Sequence, residues 1–588
     1  MHLKTRWDLS ELVVDHKSHQ FTKRIEVLQR KVDGFGSIKD TLSPAISADE
    51  FFKIIKDIEQ ISEEASVLGG YASLLYSADT QSDEATSLLT KMSRLGSEIE
   101  NKMLFFDLWW KRTVDENNAQ RLINKAGNLS EYLRHKRILA KYSLSEPEEK
   151  IINTLDVTGP TALVKLYDKI TNAFEYVVII NGKKKKMTRE QLTTLVRSTS
   201  ANTRKIAYKA LLSKYQQNKG VLGEIYQNLT LNWKDEGIAL RGYSTPISVR
   251  NIANDVDDKT IDSLLEVCKE NTPLFHRFFA YKAKMLGLKK LRRYDLYAPN
   301  TKKIKEKNYS YEKAVRMVLD SLGKFSPTLA EYAEKVFAEN HVDSEIRVGK
   351  RDGAFCSTIT PKITPYVLLN YTGKSRDVFT LAHELGHAIH SIAASKQSIL
   401  VSEAPLPLAE TASTFSELLL YDNISSQMDD SERRLILSEK IDDLYATIIR
   451  QAFFTLFEIT AHKQIAEGTT IDDLSKSYYE NLKAQFSSSV ELSDDFAIEW
   501  SCIPHFFHTP FYCYAYSFGN LLSLSLYQRY KKEGASFQKP YQEILAAGGS
   551  QKPEKLLEQH GIDISSKEFW QDGFDYVKSQ INELISLN

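Results

Sequence analysis

The run His383-Glu384-Leu385-Gly386-His387 holds the residue types and spacing best suited to chemistry in this chain. On a helix, residues four apart lie about 40° apart around the axis and roughly 6 Å apart in space, so His383 and His387 present two imidazoles to one point. That arrangement fits a pair of zinc ligands, and Glu384 beside them can reach a water on the same metal without filling a ligand position. With 13 His in 588 residues, the pattern arises by chance with a probability of about 0.02, so two unrelated core histidines are the weaker reading. A hydrolytic zinc site needs a third protein ligand and leaves the fourth position to water. A third histidine ten residues after the first, with Gly at the seventh position, is excluded because those positions hold Ala393 and His390. The other common source is a carboxylate from a later helix. Pro405 to Leu420 reads as a second amphipathic helix that starts after two prolines, and Glu410, in its first turn, is preferred on helix placement to Glu403, just before the helix. Glu417, seven residues further on, shares the face of Glu410 and can orient a ligand histidine.

The elements that must position these residues are legible around them. Val378, Leu381, Ala382, Leu385, Ala388, Ile389 and Ile392 form an apolar stripe at helical spacing, with Gly373 as a break, Ser375 as a possible cap and Asp377 in the first turn. Gly386 inside this helix costs about 1 kcal/mol relative to Ala, which predicts a close neighbour against the backbone there. The preceding Tyr366 to Tyr371 reads as a strand. Further upstream, Arg347 to Thr360 contains a Gly turn between strand-like pieces. If it forms a cleft edge, Gly353, Ala354 and Phe355 would offer backbone groups to an extended peptide; the plainer alternative is an ordinary hairpin.

The segments Gly349 to Cys356, Pro365 to Tyr371, Arg376 to His387, Leu408 to Ser413 and Pro504 to Tyr516 occur in an order that resembles oligoendopeptidase F, of the thimet oligopeptidase-like zinc metallopeptidases. The resemblance implies a mainly α fold, with two helical lobes around a deep substrate channel, a few short strands or hairpins and a zincin-type active-site helix. It implies one Zn2+ and oligopeptide substrates, and it favours the cleft role for Gly353 to Phe355. It also implies that the His/Tyr segment near residue 510 supplies hydrogen-bond donors to the oxyanion, with Tyr514 and His505 as the placements and His508 and Tyr512 as live substitutes in another register. Residue types agree, since phenols and imidazoles can strengthen their hydrogen bonds as a carbonyl oxygen gains charge. Aromatic packing of a helix start, with Thr509-Pro510 as cap and first turn, is the plain alternative.

Composition narrows the function class. The 77 basic and 77 acidic residues balance, so no global field favours nucleic acid or an anionic membrane. Cys268, Cys356, Cys502 and Cys513 show neither metal-type nor redox spacing, which fits a reducing cytoplasm. No signal-like apolar segment or run of about 18 apolar residues is present, so no membrane association is expected. A monomer is the working expectation for oligomeric state.

In chain order, residues 1–110 predict successive helices, with Ser47 and Ser82 opening two of them and Trp109-Trp110 in the core. Residues 111–195 predict a helical and hairpin subdomain, in which Phe174 to Ile180, Asn181-Gly182 and Lys183 to Lys186 form a hairpin whose lysines blunt an exposed edge. Residues 196–588 are assigned to the catalytic domain, with Lys302 to Lys307 a solvated connector and His276 and His341 structural. Ser431 to Gly468 predicts a long helix, Thr470 to about Phe486 another. The reading is a zinc-dependent endopeptidase acting on short oligopeptides, with Glu384 as general base. A metallocarboxypeptidase of similar helical shape and a non-catalytic zinc-containing peptide-binding protein are the alternatives; the latter has no use for Glu384.

Overall fold

The computed structural model describes Leu3 and residues 5–180, 182–299 and 307–587, the Glu146 side chain apart. Most of the Lys302 to Lys307 connector, and Asn181 of the hairpin turn, lie outside the described residues. The fold is mainly α with a few short strands, as the sequence pattern predicts. The chain forms two compact units, each assembled from three separated segments: Met1–Lys141, Glu306–Gln427 and Leu526–Ile562 in the first, Tyr142–Lys305, Met428–Ser525 and Asp563–Asn588 in the second.

In the first unit, Ser47 and Glu50 form a reciprocal capping box that starts the helix Ala48–Ala78, and Ser82 caps Asp83–Arg112. Phe51, Phe106, Trp109 and Trp110 bury their rings where these helices meet. The same apolar core continues to Ile359, Tyr366 and Leu368, so the segment that precedes the His-Glu motif is anchored in it. Tyr366–Leu368 is the central strand of a three-stranded sheet, parallel to Val342–Asp343 and antiparallel to Phe355–Ser357. Lys350 fastens the intervening loop to this sheet: its buried ammonium donates to the carbonyls of Asp343 and Leu369 at 2.9 and 2.6 Å and pairs with the Asp343 carboxylate at 2.8 Å.

The second unit is almost entirely helical. Its hairpin pairs Tyr176–Ile180 with Lys183–Met187, Gly182 turning at φ +74°. Tyr176 and Val178 face inward while all four lysines are exposed, the distribution expected of a protected strand edge. His276 Nε2 donates to the Gln485 carbonyl at 2.9 Å, a structural contact. The long helical run expected from Ser431 is Asp430–Leu444, a π-helical turn Tyr445–Ile449, and Arg450–Ala466, closed by Gly468 at φ +86°. Thr470 caps Ile471–Phe486. Among the described residues, no helix is long and apolar enough to cross a membrane.

Candidate metal centre and its surroundings

The His-Glu motif lies on the helix Ser375–Ala393. Its N-terminus is closed by Asp377, whose carboxylate accepts the backbone N–H of Thr372, Gly373 and Lys374 at 2.7, 2.8 and 3.1 Å. Ser375 is therefore the first helical residue and Lys374 the capping position. Asp377 satisfies several donors at once and places negative charge at the positive end of the helix.

The second helix, Thr411–Ser425, follows a short helical turn at Leu406–Leu408, and Glu410 occupies its capping position, one residue before the helix proper. The two helices touch where Gly386 has no side chain. A Cβ there would meet the Ala412 carbonyl oxygen and Ser413 Cα at 2.5 Å each, inside any tolerable contact. The glycine thus lets two backbones approach, which explains a residue that local helix propensity disfavours.

This close approach brings the three donors together. Glu410 Oε2 lies 3.4 Å from His383 Nε2 and 3.6 Å from His387 Nε2, and the two imidazole rings stand 4.9 Å apart at 80°. His383, His387 and Glu410 form a group whose ligand atoms converge within 4.8 Å of one another. A tetrahedral zinc ion with bonds of about 2.0–2.1 Å separates its ligands by about 3.3–3.4 Å, so the Glu410 spacings fit a zinc site without rearrangement. Behind the cluster, Glu417 Oε1 lies 2.6 Å from His383 Nδ1. That contact fixes the ring and turns Nε2 toward Glu410. Burial disfavours a charged His383, but the hydrogen bond with Glu417 and the charges of Glu417, Glu410 and Glu384 outweigh it and raise the pKa to about 9. The surroundings therefore attract positive charge, the electrostatic requirement of a cation site.

Glu384 is buried beside the cluster. Burial raises its pKa to about 7; Glu410 and Glu417 add to the rise, while His383 and the Cys356 backbone N–H oppose it. The Cys356 contact also fixes an orientation. Phe355–Ser357 pairs with Tyr366–Leu368 along one side, and it offers an N–H from its other side to the Glu384 carboxylate. The unpaired edge of this strand therefore faces the motif helix. Ala354 and Phe355 line a cleft of about 460 Å³ together with His383, Glu384 and His387. Gly353 precedes it at φ +80°, and its carbonyl accepts from Asn370 Nδ2 at 2.9 Å. Glu403 also lines this cleft but is not part of the three-residue cluster.

The second unit carries the His/Tyr segment, and here the structure differs from the expected local fold. The helix does not begin at Thr509-Pro510. A short helix Pro504–His508 is followed by a bend, and the long helix runs Tyr514–Glu533. The physical reason is Phe511, which sits at φ +57° and so interrupts any helix through it. His505 stacks on Tyr512 with ring centres 5.9 Å apart, and its Nε2 is 3.3 Å from the Tyr516 hydroxyl. Burial, followed by the charges of His508 and Arg450, lowers the His505 pKa and favours the neutral ring. His508 instead engages Asp168 at 2.8 Å on an exposed surface. Tyr514 is fully buried, its hydroxyl accepting from Asn254 Nδ2 at 2.8 Å. Tyr512 and Tyr516 are half-buried. Tyr516, grouped with its neighbours in the sequence but given no role, thus shares a cluster with His505 while Tyr514 points into the core; the left-handed residue five positions earlier is the signal that sequence periodicity could not supply.

Comparisons with known proteins agree along the whole chain. An oligoendopeptidase F homolog of Borreliella burgdorferi is 28% identical, the alignment covering 98% of this chain and 97% of that protein. The oligopeptidase PepF of Bacillus subtilis is 26% identical over 99% of this chain and 87% of its own length. In fold, a putative peptidase from Chlamydophila abortus superposes with a TM-score of 0.88 at 24% identity, covering 99% of this chain and 98% of the other. Oligoendopeptidase-F from Enterococcus faecium gives 0.71 at 20% identity, with 97% and 98% covered. The model of peptidase family M3 matches residues 194–576, through both helices of the candidate metal centre and the His/Tyr segment, and the chain belongs to that family.

Proposed function

We propose that this protein is a zinc-dependent endopeptidase that hydrolyses internal bonds of short oligopeptides. The observation that carries the reading is the convergence of His383 Nε2, His387 Nε2 and Glu410 Oε2 beside a buried Glu384, in a chain of peptidase family M3. His383, His387 and Glu410 would hold one zinc ion, which when bound polarises the scissile carbonyl and lowers the pKa of a water toward about 7. Glu384 takes a proton from the attacking water and returns it to the leaving amine. Its pKa of about 7 suits both halves of that task. Glu417 holds the His383 ring in the tautomer that leaves Nε2 free to ligate.

Gly353, Ala354 and Phe355, leading into the strand Phe355–Ser357, offer main-chain groups to an extended substrate, so recognition depends mainly on main-chain groups. His505 donates to the carbonyl oxygen as it becomes an oxyanion, assisted by Tyr516 or Tyr512. Their clustering supports this register over one through Tyr514 or His508, whose polar atoms engage Asn254 and Asp168. Four unpaired cysteines support action in a reducing cytoplasm. The names of the relatives, oligoendopeptidase F among them, favour internal cleavage over terminal trimming.

Peptides of about ten residues, blocked by acetyl and amide groups at their ends, test the reading when products are mapped by mass spectrometry with and without a chelator. Chelator-sensitive internal cuts are expected. Cleavage only of peptides with a free C-terminal carboxylate would replace this reading with a carboxypeptidase, and zinc-loaded protein that cuts neither would leave a peptide-binding role.

A further inference from the structure

The bend between Pro504–His508 and Tyr514–Glu533 is held by a buried carboxyl group that the hydrolytic mechanism does not use. Phe511, 1% exposed, adopts φ +57°, a conformation rare for a bulky side chain and persistent only where its surroundings impose it. Glu458 on the helix Arg450–Ala466 contacts it there: its Oε1 accepts the Phe511 N–H at 2.8 Å. One residue earlier, the Pro510 carbonyl accepts from Arg250 Nε at 3.2 Å. His462, one turn after Glu458, packs its ring 4.6 Å from that of Phe511.

Glu458 is 0% exposed and its Oε2 has no hydrogen-bond partner among the described residues. An apolar side chain would fill this position at lower desolvation cost, so the carboxyl is explained by what its one hydrogen bond accomplishes. Burial raises its pKa to about 8 against the opposing Phe511 N–H and Arg250. The group is then a neutral acid near pH 7, and Oε1 can accept without carrying a charge into the core.

The bend determines which side chains meet. It folds Tyr512 back onto His505, with ring planes 12° apart, and lets Tyr516 stand edge-on to both at 5.8 and 5.3 Å. A right-handed Phe511 would rotate the chain after it and separate these three rings. We propose that Glu458 is a positioning residue which, together with Arg250, locks the Pro510–Phe511 bend and thereby sets the register of His505, Tyr512 and Tyr516. This rests on the zinc-endopeptidase reading, in which His505, assisted by Tyr516 or Tyr512, serves the oxyanion.

The test compares wild-type, Glu458→Gln, Glu458→Leu and Arg250→Met full-length proteins for zinc content, thermal unfolding, and kcat and KM on a blocked decapeptide. Gln keeps the accepting oxygen at the same place, so its kcat is expected within about threefold of wild type. Leu removes the acceptor; donors displaced by about 1 Å are expected to lower kcat about 100-fold, with zinc content intact and KM little changed. A folded, zinc-loaded Glu458→Leu protein with wild-type kcat overturns the inference while the peptidase reading stands, as does a Gln variant as impaired as Leu. If Leu does not fold, Arg250→Met supplies the same readout, with a fall in kcat of about tenfold expected and an unchanged kcat overturning the proposal. Wild-type protein without chelator-sensitive cleavage overturns both.

Discussion

Replacing Gly386 by Ala probes the packing that assembles the metal centre without touching any proposed ligand. The added Cβ would lie 2.5 Å from the Ala412 oxygen and from Ser413 Cα, and 2.8 Å from the Ala412 carbonyl carbon. All three are backbone atoms, so no side chain can swing aside. Ordinary contact between carbon atoms requires about 3.5 Å, so the two helices must separate by about 1 Å. Alanine is favoured over glycine in a helix by about 1 kcal/mol, while overpacking costs about 1–3 kcal/mol, leaving a net destabilisation of about 0–2 kcal/mol. The larger consequence falls on the ligands. Glu410 lies two residues before Ala412 in the displaced backbone, and its 3.4 and 3.6 Å spacings to the imidazoles would open past what zinc coordination tolerates, since ligand distances hold within about 0.2 Å. Zinc affinity should fall about 10- to 100-fold, measured by competition with a chromophoric chelator, while the metal-free protein unfolds within a few degrees of wild type. Wild-type zinc affinity in a folded Gly386→Ala protein would refute the claim that this contact sets the ligand geometry.

Glu417→Gln should weaken zinc binding about 10- to 100-fold, read by the same competition, because it removes the anionic partner 2.6 Å from His383 Nδ1. Glu410→Ala should lower zinc content and Glu403→Ala should not; the reverse result would move the carboxylate ligand upstream. Tyr514→Phe should cost about 1–3 kcal/mol of stability by orphaning the Asn254 donor, with little change in kcat, whereas Tyr516→Phe should lower kcat and leave the melting temperature nearly unchanged. His462 gives a stability effect of known sign: burial lowers its folded pKa to about 3, below the ordinary histidine value of about 6.5 in the unfolded chain. The unfolded state then binds the extra proton, so the contribution is fully present above pH 6.5 and declines toward pH 3, by up to about 1.4 kcal/mol per pH unit. Denaturant titrations of wild type and His462→Leu across that window should show a shallower pH slope in the variant, and equal slopes would contradict a neutral buried imidazole.

The parts of this site that local chemistry determines could be read from the sequence, and those that depend on distant backbone could not. Spacing alone placed His383 and His387 on one helical face, and the apolar stripe from Val378 to Ile392 located the helix. Gly386, disfavoured by propensity, pointed to close packing, and the structure supplies Ala412 and Ser413 as the neighbours. The cap was less legible, because Asp377 reaches back over several backbone donors rather than Ser375 capping its own helix. The tyrosine register was hidden for a tertiary reason: no Gly or Asn marks Phe511 as left-handed, and the group that holds it lies 53 residues away on another helix. Alternation in Tyr512, Tyr514 and Tyr516 gave no sign that the middle hydroxyl turns inward to Asn254. Nor could chain order reveal that each compact unit is built from three separated segments.

The most direct test of the zinc-peptidase reading is turnover of a blocked decapeptide by zinc-loaded Glu384→Gln beside wild type, with metal content measured on the same samples. Glu384 is placed to move the proton and not to bind the ion, so the variant should hold a full complement of zinc and lose about 10²- to 10⁴-fold in kcat. A zinc-loaded variant that cleaves at the wild-type rate would contradict the assignment of Glu384 as the base and the hydrolytic chemistry built on it.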